Sequence, residues 1–153
     1  MSVDAQKLAE DAVRMLFDSD RATQALGARI CAVEPGQVRV AMHVSERMLN
    51  GHATCHGGFI FALADSAFAF ACNSHNERNM AASAAIDFLA PAQLGDELYA
   101  EARELWRSRR QGIYEVTVAN GAGVKSPCFA VAATVSTDRS WHRMRQRYRS
   151  KRA

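Results

Sequence analysis

Apolar residues at the start of the chain recur with helical spacing: Leu8, Ala12, Met15 and Leu16 line one face of a segment from Asp4 to Leu26, which predicts an amphipathic helix. From Gly27 the pattern shifts to extended structure. Glu34-Pro35-Gly36-Gln37 has proline and glycine where a type II turn wants them. Val38, Val40, Met42 and Val44 then alternate with Arg39, Ala41 and His43, as in a half-buried strand. His56 to Ser74 is too long for one strand and reads as a helix. Phe59, Ile60, Phe61, Leu63, Phe68, Phe70 and several alanines leave it almost no polar face, so it is expected to be buried on all sides. Four strand candidates follow, Met80 to Leu89, Leu98 to Arg107, Ile113 to Ala119 and Cys128 to Ser136. A helix, two strands, a central helix and four strands describe an α+β fold, an antiparallel sheet curled round one helix.

Composition narrows the class. A chain of 153 residues, 48% hydrophobic and 23% charged, is one domain able to bury a core. No apolar run reaches the length of a membrane span. The first residues carry Asp4, Glu10 and Asp11 rather than a basic start and an apolar run, so no signal peptide is expected and a cytoplasmic location is. Charge divides the chain at residue 138. Residues 1–138 hold 12 Lys and Arg against all 16 Asp and Glu, whereas 139–153 hold 7 basic residues and no acid. The expected organisation is a domain over 1–138 and a basic C-terminal tail over 139–153. Such a tail suits nucleic acid or anionic lipid, but no zinc motif accompanies it, and a solvated end with neither partner is the expectation. Cys31, Cys55, Cys72 and Cys128 form no C-x-x-C pair, so neither a disulfide framework nor a zinc site is suggested.

The sharpest chemical signal is Asp65. It is the one ionisable acid or base between Gly57 and Asn73, in the most apolar segment of the chain. An apolar setting is where a carboxylate becomes a usable base or nucleophile; a capping or salt-bridged Asp is the structural alternative. His56-Gly57-Gly58 opens the same helix. A helix start offers N–H groups without intrahelical partners, its dipole favours negative charge, and glycines allow close approach, so the turn is a candidate oxyanion hole. Cys55 beside His56 is a weak thiol-nucleophile candidate, since sequence neighbours rarely form a catalytic pair. The five histidines lack metal-binding spacing, and P-loop, dinucleotide and G-x-S-x-G motifs are missing.

The run Asn50-Gly51-His52-Ala53-Thr54-Cys55-His56-Gly57-Gly58 through Asp65 to Ser74, with Ile86-Asp87-Phe88-Leu89-Ala90-Pro91 and Gly95-Asp96, closely resembles the hotdog-fold acyl-CoA thioesterases of bacterial phenylacetate degradation. The resemblance implies a hotdog fold, dimers assembled into homotetramers, and hydrolysis of phenylacetyl-CoA or hydroxyphenylacetyl-CoA without metal or other cofactor. It implies that Asp65 is the catalytic base or nucleophile, that the Gly57 N–H polarises the thioester carbonyl with Asn50 as a side-chain donor beside it, and that His56 shapes the turn. Ser83 is a near match to the residue that orients water. Arg109 and Arg110, with Gln111 and Gly112 after them and Arg107 before, are candidates for the CoA phosphates or a solvated hairpin end. Phe59, Phe61 and Phe68 are candidates to line the acyl cavity. Other readings are a medium-chain acyl-CoA thioesterase and a non-catalytic acyl-CoA-binding or nucleic-acid-binding module. Helix geometry adds a constraint. Eight residues separate Gly57 from Asp65, roughly 12 Å along a helix axis, too far for one helix to serve one carbonyl. Paired antiparallel helices of a homodimer would combine Asn50 and Gly57 of one chain with Asp65 of its neighbour.

Overall fold

The computed structural model describes residues 3–121 and 127–136. Helices α1 (Val3–Ser19) and α2 (Arg21–Ala25) lead into strands β1 (Arg29–Glu34) and β2 (Gln37–His43), a 3₁₀ turn at Glu46–Met48 and the central helix α3 (Gly57–Asn73). Strands β3 (Met80–Phe88), β4 (Glu97–Arg107), β5 (Gln111–Asn120) and β6 (Pro127–Ser136) complete the chain. Its sheet runs β1-β2-β4-β5-β6-β3, antiparallel throughout. The charge boundary near residue 138 and the basic tail 139–153 lie outside the described residues.

The opening segment is two helices rather than one. Asp20 breaks it by capping α2: its carboxylate accepts from the Thr23 N–H at 3.0 Å. The turn at Pro35-Gly36 closes the β1–β2 hairpin, with Gly36 at φ +77°, a conformation that costs other residues energy.

One face of α3 forms the floor of the core. Leu63, Ala64, Ala67, Phe68 and Ala71 are buried with Val38, Val40 and Met42 of β2, Leu98, Ala100 and Ala102 of β4, and Val116 and Val118 of β5. Alanines on both helix and sheet let the two approach closely, while Phe68 packs edge-on against Tyr114 with ring centroids 5.5 Å apart. The opposite face departs from the expectation of all-round burial. Gly58 and Asp65 are exposed, and Phe61, Ala62, Ala69 and Asn73 between and beyond them are only half-buried. A single sheet covers a single side of a helix, so the second side of α3 stays open within one chain. Strand β3 is likewise uncovered: every residue from Met80 to Phe88 is exposed except the half-buried Ile86.

The C-terminal end of α3 is fastened to the β1–β2 turn. The Gly36 N–H donates to Ser74 Oγ at 2.7 Å, and that hydroxyl donates to the Ala71 carbonyl at 2.7 Å. Beside it, the Glu104 carboxylate meets His75 Nε2 at 2.8 Å and accepts from the Tyr114 hydroxyl at 2.7 Å. Ser74→Ala leaves the buried Gly36 N–H without an acceptor and is expected to destabilise the fold by about 1–3 kcal/mol. Urea unfolding checks this, as a lowered midpoint at an unchanged slope.

Candidate functional site

The start of α3 is set by the loop before it. The Asn50 N–H donates to the Thr54 carbonyl at 2.8 Å, and the Asn50 Oδ1 accepts from the backbone N–H groups of His52 at 2.9 Å and Thr54 at 3.2 Å. Asn50 Nδ2 donates to Thr54 Oγ1 at 3.0 Å. Asn50 thus pins the tight turn in which Ala53 takes a positive φ of 57°. The His56 N–H then donates to the Met48 carbonyl at 2.8 Å and fixes the chain as it enters the helix.

His56 is the N-cap. Its Nδ1 accepts the Gly58 N–H at 2.9 Å, which leaves the proton of a neutral ring on Nε2. The Phe59 N–H is taken up by the His56 carbonyl at 2.9 Å. Among the described residues nothing accepts the Gly57 N–H. The cap therefore satisfies its neighbours and leaves the amide of Gly57 open, at the positive end of a 17-residue helix dipole. That arrangement suits an oxygen that gains negative charge.

Beside Gly57 lies an open, largely apolar cleft of about 430 Å³, lined by Cys55, Gly57, Ile60, Phe88, Leu89, Ala90 and Pro91. Its far wall is the end of β3 and the loop after it, held against the α3 start by a hydrogen bond from the Cys55 N–H to the Ala92 carbonyl at 2.8 Å. Phe59, Phe61 and Phe68 do not line this cleft; Phe68 is buried against Tyr114, inside the core. Phe88 and Leu89, which reasoning from helical position overlooked, take their place. A strand end followed by Ala90-Pro91 was the available signal.

Asp65 lies two turns along α3 from Gly57, on the uncovered stripe. It is exposed in the single chain, a departure from its expected burial with the same cause as the open face of α3. No described residue donates a hydrogen bond to it. Its pKa is nonetheless raised, first because apolar helix neighbours withdraw water from the carboxylate, and second because Asp20 places another negative charge nearby. A chain of hydroxyls joins that acid to the helix: Thr23 Oγ1 donates to Asp20 Oδ2 at 2.5 Å and lies 2.7 Å from Ser66 Oγ, the residue after Asp65. Asp20 and Thr23 are near neighbours through the α2 cap, whereas Ser66 lies far along the chain, and only the fold brings it to them.

The remaining candidates lie elsewhere. Ser83 is on exposed β3, at the irregularity between Ala81 and Ser83. Arg109 and Arg110 are exposed on the β4–β5 hairpin, next to exposed Gln111 and buried Gly112. That hairpin is at the C-terminal end of α3, because Arg107 pairs with Glu77 at 3.1 Å and reaches Glu104, the partner of His75, at 3.8 Å. The length of the helix, roughly 24 Å, thus separates the arginines from Gly57 of the same chain. Burial raises the pKa of Cys55 and pushes Cys72 up to about 12, so both are thiols rather than thiolates at neutral pH. Among the described residues no helix is long and apolar enough to cross a membrane.

An antiparallel sheet cupping one long helix, which starts at a glycine amide, is the hotdog architecture. Residues 52–127 match the model of the Thioesterase superfamily. Over 105 residues the chain is 41% identical to the acyl-coenzyme A thioesterase PaaI of Escherichia coli K12, covering 69% of this chain and 75% of that protein. The structure of the E. coli PaaI protein from the phenylacetic acid degradation operon superposes with a TM-score of 0.84 at 33% identity, covering 88% of this chain and 96% of that one. A variant of the phenylacetic acid degradation protein PaaI from Thermus thermophilus superposes at 0.73 with 35% identity, covering 78% and 100%. The chain belongs to the thioesterase superfamily, among the hotdog acyl-CoA thioesterases of the phenylacetate-degradation type, and is by that membership a thioester hydrolase.

The raised pKa of Asp65 has a consequence for stability. The folded protein disfavours the ionised carboxylate, so a penalty sets in as pH rises from the ordinary Asp value through the folded one, and is full above it. Asp65→Asn removes that penalty. The variant is expected to melt at a higher temperature than wild type at neutral pH, with the gap closing below about pH 4. Thermal melts across this range check it; a constant gap would assign the change to packing.

Proposed function

We propose that the protein hydrolyses phenylacetyl-CoA or its ring-hydroxylated forms to the free acid and CoA. The observation that carries this reading is the unclaimed Gly57 amide at the mouth of an apolar cleft. The similarity to PaaI proteins supports the aryl-acetyl group in particular.

The thioester carbonyl oxygen accepts from the Gly57 N–H, with the second N–H of Asn50 Nδ2 beside it, and the acyl group occupies the cleft. Asp65 draws a proton from water as it attacks the carbonyl carbon, or attacks that carbon itself. In either role it must be ionised. The C–S bond then breaks: in the first route CoA leaves as its thiol with the proton that Asp65 took from water, and in the second water cleaves the acyl–Asp65 anhydride, restores the carboxylate and supplies the thiol's proton. His56 keeps the amide in place by capping the turn, and Ser83 is the candidate to orient water.

Each site draws on two chains. Within one chain Gly57 and Asp65 are roughly 12 Å apart along α3. Antiparallel pairing of two α3 helices covers the apolar stripe that includes Phe61, Ala62 and Ala69, and sets Asp65 of one chain against Asn50 and Gly57 of the other. The same pairing carries the Arg109, Arg110, Gln111, Gly112 hairpin from the far end of one helix toward the partner's helix start, where the CoA phosphates would run. Two such dimers form a homotetramer. Its substrate is confined where CoA is, which makes the cytoplasm its working compartment. Nucleic acid and membrane have no part in this reading.

Asp65→Asn keeps volume and removes the base, and is expected to lower turnover at least ~100-fold, followed as free thiol released from a panel of acyl-CoA esters. Turnover within a few-fold of wild type would make Asp65 structural. A preference for palmitoyl-CoA over phenylacetyl-CoA would overturn the substrate. Asp65→Asn and Asn50→Ala chains, each nearly inactive, are expected to recover roughly a quarter of wild-type activity when refolded together in equal amounts, since about half the dimers are mixed and each has one intact site. Confirmed mixed dimers without recovery would exclude shared sites.

A further inference from the structure

We propose that Phe88 is a specificity-determining residue, an aromatic wall braced on Gly57 that selects acyl groups with a ring close to the carbonyl over aliphatic chains of the same carbon count. The inference rests on the reading of the cleft beside Gly57 as the acyl site.

The first observation is a contact. A Cβ placed on Gly57 would stand 3.0 Å from both Cε1 and Cζ of Phe88. The tip of the ring therefore rests on the glycine, and the missing side chain of Gly57 is what lets it come so near. A residue whose amide faces the substrate and a ring that can touch the substrate are thereby held in register.

The second observation is the chemistry of the lining. Phe88 is the one aromatic residue among those that line the cleft; the rest are Cys55, Gly57, Ile60, Leu89, Ala90 and Pro91. Phe88 as a residue is 53% exposed even though the tip of its ring meets Gly57. It sits at the end of a strand, and the loop behind it is tied down by the Cys55–Ala92 hydrogen bond at 2.8 Å and by Pro91, so the wall is built before substrate arrives. Aromatic rings attract one another in offset or edge-to-face arrangements with centroids ~4.5–7 Å apart. A ring joined to the carbonyl by one methylene falls within that reach when the carbonyl oxygen is at the Gly57 amide. A linear chain fills the same cleft but gains only apolar contact.

Two measurements test this. In the first, kcat/KM is determined for phenylacetyl-CoA and octanoyl-CoA with wild type, Phe88→Leu and Phe88→Tyr, each checked for folding by circular dichroism and for assembly by light scattering. Phe88→Leu is expected to lower the phenylacetyl-to-octanoyl ratio by roughly 3- to 10-fold, and Phe88→Tyr, which keeps the ring, to hold it within about 2-fold. An unchanged ratio in Phe88→Leu overturns the role of Phe88 while leaving the thioesterase reading intact; wild type that cleaves neither ester overturns both. The second measurement needs no activity. Gly57→Ala is expected to lower the melting temperature in wild type by several degrees and by clearly less in Phe88→Ala, because the methyl then meets no ring. Equal losses would show that the ring does not bear on Gly57, and would overturn the proposal even if Phe88→Leu changed the substrate ratio.

Discussion

Helix α3 is apolar on more sides than one sheet can cover, and the rest of the molecule is arranged around that mismatch. One side is filled by β2, β4 and β5, where alanine faces alanine and Phe68 locks on Tyr114. On the other side the stripe through Phe61, Ala62 and Ala69 is only half-buried, and Asp65 on it is exposed. Burial of one face supplies the stability that holds a helix of this composition in place, at about 1.5–3 kcal/mol for each large side chain removed from water. What remains open is where the ionisable group sits. The packed core and the carboxylate of Asp65 thus lie on opposite sides of one element.

The N-terminus of α3 shows how a helix end can be capped and still leave one amide open. Every helix begins with amides that its own turns cannot satisfy. Here His56 takes care of the Gly58 and Phe59 amides, one by its ring and one by its carbonyl, and the first amide is left over. A serine or aspartate cap would reach the same following amides, but a histidine adds a bulky flat ring over the turn, packed edge-on against Phe59 with centroids 6.5 Å apart. The loop pinned by Asn50 then decides where that end points.

Most of the fold was legible in the sequence because its signals are local. Period-two alternation marked β2, Pro35-Gly36 marked the hairpin, and the length of the His56–Ser74 run separated helix from strand. The break at Asp20 escaped because Asp20, as a cap, interrupts a helical pattern without disturbing its apolar spacing. The site was legible only in part. His56, Gly57 and Asp65 share one short segment and could be read together. The cleft could not, since Phe88 to Pro91 reach it through the sheet topology and the Cys55–Ala92 tie, neither of which has a sequence period. Burial of Asp65 was misjudged for a related reason: the composition of a helix reports how apolar it is, not which of its sides the sheet of one chain covers.

Strand β3 carries a further consequence. It stands at one end of the sheet, and its sequence, Met80-Ala-Ala-Ser-Ala-Ala-Ile-Asp-Phe88, has neither lysine nor proline to guard that edge. An alanine-rich edge strand with so little charge can accept a compatible strand. A chain with such an edge is exposed to misassociation, and that hazard is governed by how often another edge is met rather than by how stably the core packs. A higher concentration of the chain raises that hazard while leaving the strength of its core unchanged.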